Sequence, residues 1–450
     1  MVEPRKRNLE NGKNTQGQKK NSMSKRQEQA PRIVTTWELS NMIFEILIVP
    51  ILTIGFHLVC NEKQCSFTSL PDLSQYKSLS DLFQLESFLY FLAYVVVLVI
   101  FGCLPLGGEK IRVKDYTYNL NGFNSTLCII LTMLVCESSG VPVSNYICEH
   151  LLDMVVSVLI FQVSLAVFLY IFSFNAREDE LNPAEIGTPF ISAFYNGRQI
   201  NPRLFNTVDI KFTFVKIYTS TMIITDISMV LKTLNLTTNT GLNLNNINWN
   251  SLSSNSTIVV LAIAHCSYFL SHLYYESRTL SNYFAHSEGM GYNLLMANSF
   301  RWSGLIAQTR YIIEHKIHYP NWQLACLLAV YLFGQYVYNV TNGQKDHLRR
   351  YPDSPESKRM KRIPTSQGKD ILCDGWWGVV RQPNITADIL VHLTWLRFGI
   401  TAPPVLSIMS FFYYFIARAV VSQRDCKMKY GLAWQKYCRK VKYVLVPFVY

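Results

Sequence analysis

Charge is scarce in this chain. Only 16% of its 450 residues are Asp, Glu, Lys or Arg, against roughly 25% in an ordinary soluble domain. A soluble protein of this size needs charge to cover its surface, so a wholly soluble fold is excluded. Closely spaced cysteine pairs are also lacking. Eleven cysteines are scattered, mostly inside apolar runs, and none has CxxC spacing, which argues against a zinc or redox site. No Walker A sequence occurs, no GxGxxG after a strand, no HExxH and no GxSxG. With no alternation of strands and helices either, a soluble α/β nucleotide-binding domain is excluded.

What is present is apolar sequence in long runs, such as Phe88–Leu106 and Met154–Phe174. At 1.5 Å rise per residue, about 20 residues cross the roughly 30 Å hydrocarbon core. Hydropathy gives strong spans near 40–59, 88–106, 154–174, 256–275, 322–340 and 403–421, with weaker ones at 125–140, 212–234, 290–312 and 386–400. The weaker segments carry Lys216, Asp226, Arg301, Arg310, Asp388 and Arg397, which are costly against lipid and must face the interior, a wet cavity or the headgroups. The expected fold is all-α, a multi-pass transmembrane bundle of about ten helices over 37–450, behind a short disordered basic tail over 1–36.

That tail holds nine Lys or Arg against three Glu, half of the chain's net charge of +12. It is too long and too basic for a cleaved signal peptide. It reads as a topology signal keeping the N-terminus cytosolic or nucleoplasmic, or as an arm for nucleic acid or anionic lipid. Residues 341–370 read as a basic, Pro-containing loop, and the last 29 residues as basic and aromatic; both belong on the tail's side. Cys60 and Cys65 fall together in the first lumenal loop, where a disulfide can form. The sequons at Asn124, Asn235, Asn255, Asn339 and Asn384 abut or enter spans and carry little weight. Lys345 and Arg349, four apart, share one helix face. They are either ordinary topology charges or a joint phosphate grip.

Residues 371–388, ILCDGWWGVVRQPNITAD, and the C-terminal KYGLAWQKYCRKVKYVLVPFVY resemble hallmarks of the sterol reductase family, which includes sterol Δ14-reductases and the membrane domain of the lamin B receptor. GRQINPRLFNTVDIKF at Gly197–Phe212 and the LNGF of Leu120–Phe123 match as well. The resemblance covers roughly 40–450. It implies a ten-helix bundle in the endoplasmic reticulum or inner nuclear membrane that takes NADPH from the cytosolic side and a sterol from the bilayer, and no metal. Carried over by motif, the cofactor-binding positions are Lys345, Arg349, Leu372, Trp377, Asn384, Arg418, Cys426, Lys429, Tyr430 and Tyr437. Tyr275, Glu276 and Tyr437 are the remaining proton-donor candidates.

Departures from the pattern point the other way. The resemblance implies His where Gln382 stands, Tyr at Ile385, Gly at Ala387 and an acid at Ser422, with Asp425 badly phased to replace it. SHLYYES at Ser271–Ser277 lacks its first and last acids, GMGYNLLMANSFRWSG at Gly289–Gly304 its GD pair, and Val215–Thr219 its ELRPG. Two functions follow. One is a weakly active or inactive sterol-binding or nuclear-envelope protein whose tail touches lamin, chromatin or DNA. The other is a working NADPH-dependent Δ14-sterol reductase, reducing the C14=C15 bond.

Overall fold

A computed structural model describes residues 32–449 apart from 69–73, 75–77, 79–80, 114–115, 206, 239–240 and 244–248. The basic tail expected over 1–36 lies almost wholly outside the described residues.

Ten helices of 17 residues or more follow one another: α1 Thr36–Val59, α2 Leu85–Cys103, α3 Gly122–Ser138, α5 Leu151–Phe172, α6 Ile210–Thr233, α7 Ser256–Tyr274, α8 Tyr292–Glu314, α9 Asn321–Arg350, α10 Pro383–Gly399 and α11 Val405–Tyr430. A short α4, Val143–Glu149, sits between α3 and α5, and α12, Leu432–Lys440, closes the chain. Among the described residues, seven helices are long and apolar enough to cross a membrane, or eight if α3 and α4, bent by 100° to each other, form one span. Among the described residues, strands occur only as two-stranded hairpins, including β1 Glu109–Val113 with β2 Tyr116–Leu120. The bundle is thus the multi-pass helical membrane fold expected, with each weak span realised as a helix.

Sequence chemistry explains where each helix sits. Leu89, Val96 and Ile100 of α2 are exposed, as suits an element facing acyl chains. The more polar α6 and α8 are instead enclosed, and Lys216, Asp226, Ser299, Ser303, Gln308 and Thr309 are all buried in the interior. α9 packs along α10, where a Cβ on Gly334 would stand 3.0 Å from Val391 and 3.3 Å from the Ala387 carbonyl, so a small residue lets the helices approach. Gly197 has φ +87°, and a Cβ there would meet the Met290 backbone at 2.4 Å, so GRQINPR lies directly on GMG.

Two expectations need correction. Residues 341–350 are not loop: α9 continues to Arg350, because Gln344, Lys345, Leu348, Arg349 and Arg350 favour helix beyond the weak Thr341–Gly343 and the first proline after them comes only at Pro352. Likewise α11 extends past 421 to Tyr430, ended by Gly431 at φ +50°. Both helices therefore carry charged ends out of the membrane on the same side. Cys60 and Cys65 close the expected disulfide beyond the other end of α1.

An even number of crossings, eight with the bent pair as one span, would return the chain to its starting side. Protease added to sealed microsomes is expected to remove tags at both termini, while tags at the Cys60–Cys65 loop survive until the vesicles are opened. A C-terminal tag that is cut only after opening breaks this topology.

Candidate functional site

The charged ends of α9 and α11 face each other across a cavity of about 650 Å³. Lys345 and Arg349, one turn apart on α9, line it together with Cys426, Lys429 and Tyr430 from α11, so the expected shared face is realised. Lys369, from the loop between them, joins the wall. Arg418 lies farther in on α11, its guanidinium 3.6 Å from the ring of Tyr283, which also lines the cavity.

The charge balance of this wall is unusual. Arg350 is paired with Glu109 and Asp346, and Arg362 with Asp370. Among the described residues, no salt bridge engages Lys345, Arg349, Lys369 or Lys429. Burial and the nearby charges of Lys429 and Arg349 push the Lys369 ammonium below the ordinary lysine range. Gathered cations repel one another unless an anion with several charges lies between them. The wall therefore fits the phosphates of a dinucleotide such as NADPH, with those lysines and arginines as the groups that would hold it.

Behind the cations is an aromatic floor. Lys345 Nζ stands 5.6 Å from the Trp377 ring. The indole Nε1–H of Trp377 donates to the Thr341 carbonyl at 3.1 Å, and Leu372 packs beside it against Leu348. Tyr437 props this floor from α12, its hydroxyl donating to the Trp377 carbonyl at 2.8 Å. The hydroxyl is buried and engaged, and burial pushes the phenol above its ordinary range, so in this arrangement Tyr437 braces the floor. One turn inward, Asn384 Nδ2 donates to Asn342 Oδ1 at 3.3 Å, joining α10 to α9.

A second polar layer follows another turn along. Tyr338 precedes Lys345 by seven residues, about 10 Å along the axis of α9, and Asp388 follows Asn384 by four on α10. There the Tyr268 hydroxyl of α7 donates to Asp388 Oδ1 at 2.9 Å. The His272 ring lies 4.4 Å from that of Tyr268, tilted to it, and meets the Tyr338 hydroxyl at 2.9 Å, while His392 and Trp395 enclose the other side. Among the described residues, no salt bridge engages Asp388. The sequence reading did not include Tyr268 and noted Asp388 only as a charge costly to lipid. Two signals were available: Asp388 closes ILCDGWWGVVRQPNITAD, and an ionisable residue inside a membrane is by default a functional candidate.

The other proton-donor candidates stand elsewhere. Tyr275 is covered by Arg278, whose guanidinium lies 3.5 Å from its ring. Glu276 accepts the Gly122 N–H at 2.9 Å and faces Lys216 at 3.6 Å, while Lys216 also donates to the Asn119 carbonyl and Asn121 Oδ1, both at 3.0 Å. Burial pushes the Glu276 carboxyl above its ordinary range, against the opposing pull of Lys216. This carboxylate locks LNGF to α6 and does not reach the cavity. Glu276→Ala is expected to lower stability by about 3–5 kcal/mol, since it strands a buried ammonium; a thermal melt in detergent reads it, with Glu276→Gln losing less.

The departures at 382 and 422 also meet. Gln382 Nε2 donates to Ser422 Oγ at 2.9 Å, so the positions where a histidine and an acid were implied form one uncharged pair between α10 and α11. Asp425, expected to be badly placed, shares the cavity wall with Ser422.

A family model described as the ergosterol biosynthesis ERG4/ERG24 family matches residues 33–450. The chain belongs to that family. A Gallus gallus protein named Delta(14)-sterol reductase LBR is 28% identical over 415 residues, 88% of this chain and 61% of the relative. Delta(14)-sterol reductase erg24 of Schizosaccharomyces pombe is 27% identical over 424 residues, 90% of this chain and 94% of its own length. Delta(14)-sterol reductase TM7SF2 of Mus musculus is 26% identical over 355 residues, 76% and 80% of the two chains. This chain thus spans less than two thirds of the Gallus gallus relative but nearly all of the yeast one. Membership of a sterol reductase family agrees with a nicotinamide cofactor in general and with contact to bilayer and sterol.

Proposed function

We propose that this chain is an NADPH-dependent sterol reductase of the endoplasmic reticulum membrane, acting on a ring double bond of the C14=C15 type with its cationic cavity toward the cytosol. One observation carries the reading. Cations without carboxylate partners line a single cavity between α9 and α11, and a buried phenol–carboxyl pair on the neighbouring α7 and α10 lies near the level of Tyr338, about two helical turns along α9 from Lys345. When bound, reduced nicotinamide supplies a hydride. The chain's part is to hold the phosphates on Lys345, Arg349, Lys369 and Lys429, with Trp377 backing Lys345, and to deliver a proton. In its acid form Asp388 turns the hydrogen bond round, its carboxyl O–H donating to the Tyr268 oxygen, and passes that proton on as Tyr268 gives its own to the sterol, so the pair starts without a net buried charge. The aromatic enclosure around the pair keeps bulk water from competing.

A second reading, a sterol-binding or nuclear-envelope protein without turnover whose tail contacts lamin, chromatin or DNA, is favoured by the Gln382–Ser422 pair, which leaves those two positions without a titratable group. Expression in cells lacking their own Δ14-reductase separates the two. Clearance of accumulated Δ14-unsaturated sterols, lost in Asp388→Asn, supports the first reading. Unchanged accumulation with normal expression and membrane insertion supports the second.

A further inference from the structure

A second cavity, of about 570 Å³, lies in the other half of the bundle, between α2, α3, α4, α5 and α6. Its lining shares no residue with the cationic cavity and includes neither Tyr268 nor Asp388. It adjoins a small void of about 20 Å³, with Phe91, Val158, Thr221 and Trp302 bordering both. The size falls within the roughly 300–1,000 Å³ of ordinary ligand pockets.

Its chemistry selects among membrane components. The lining holds no Lys, Arg or His, and its one charged residue is Glu86, in the first turn of α2. The Glu86 carboxylate accepts the Tyr90 hydroxyl at 2.8 Å, and Tyr90 meets Tyr146 edge-to-face at 5.2 Å, so an acid and two aromatic rings border the opening. A phosphate headgroup finds no cation there and meets a like charge. At the inner end, Trp302 is buried, and its indole N–H has no hydrogen-bond partner among the described residues. An unmet donor beside an apolar cavity favours an occupant that brings an acceptor oxygen.

We propose that this cavity binds an uncharged, rigid lipid alcohol of sterol size, its oxygen accepting from Trp302 and its hydrocarbon body filling the space toward Glu86. The site is separate from the proposed catalytic centre and stands whether or not the chain turns over.

The test uses the full chain in phosphatidylcholine nanodiscs with a diazirine-bearing cholesterol, and crosslinks are mapped by mass spectrometry. Labels are expected on α2, α3 and α5, competed by unlabelled cholesterol and not by added phosphatidylglycerol. Trp302→Phe, which keeps the ring and removes the N–H, should weaken labelling about two- to tenfold. Thr132→Trp, which fills the space, should abolish it, with melting and gel-filtration profiles confirming that both variants fold. Glu86→Lys should let phosphatidylglycerol compete. Labels confined to other helices, or competition by phosphatidylglycerol in the parent equal to that by cholesterol, overturn the proposal. A Trp302→Phe variant that folds normally and labels as strongly as the parent overturns the assignment of the oxygen.

Discussion

Asp388→Asn is expected to slow sterol reduction by about 10²- to 10⁴-fold, the usual worth of a positioned general acid. Asparagine still accepts a hydrogen bond from Tyr268 through its carbonyl oxygen, so the contact between α7 and α10 survives while the transferable proton does not. Tyr268→Phe removes the group at the other end of the relay and should lose a comparable factor. Single-turnover measurements on purified enzyme, with sterol and cofactor both saturating, read the step directly. Affinities should stay within a few fold in both variants, because neither residue borders the cationic cavity. Full turnover by Asp388→Asn would remove the pair from the mechanism and return attention to Asp425, which shares the cavity wall with Ser422.

The double variant Lys345→Ala, Arg349→Ala should fail at binding instead. Each lost charge-assisted phosphate contact is worth about 1.5–3 kcal/mol, or roughly 10- to 150-fold in affinity. Fluorescence titration with NADPH should show that loss, and the parent's affinity should fall as salt rises, since the groups are screened. Affinity should also decline on the alkaline side, because the depressed Lys369 ammonium gives up its charge at a lower pH than a free lysine does. NADPH bound by the double variant as tightly as by the parent would refute the phosphate assignment.

Much of the fold was legible because membrane burial leaves a coarse signature. Runs near 20 residues long with few charges mark spans, and the weak runs were weak because α6, α8 and α10 face other helices. Where the charged ends of α9 and α11 stopped was not legible, since lysine and arginine suit both a helix and a loop. That Lys345, Arg349, Cys426, Lys429 and Tyr430 line one cavity was legible through motifs. The acid pair was not, because Tyr268 and Asp388 are 120 residues apart and only the packing of α7 against its neighbours joins them. The partners of Glu276 and Tyr437 were not legible for the converse reason: a sequence names a carboxyl or a phenol but not the Gly122 amide or Trp377 carbonyl that it meets.

The Gln382–Ser422 contact limits how this chain can be altered. Restoring a histidine at 382 alone would put an imidazole against a serine, and restoring an acid at 422 alone would set a carboxylate beside an amide, so each single change gives up the present neutral match without gaining an ionic one. Only the joint replacement recreates a charged partnership between α10 and α11. The two sites are therefore coupled: a histidine at 382 and an acid at 422 are expected to be tolerated better together than either alone, and a survey of single substitutions would miss the matched pair.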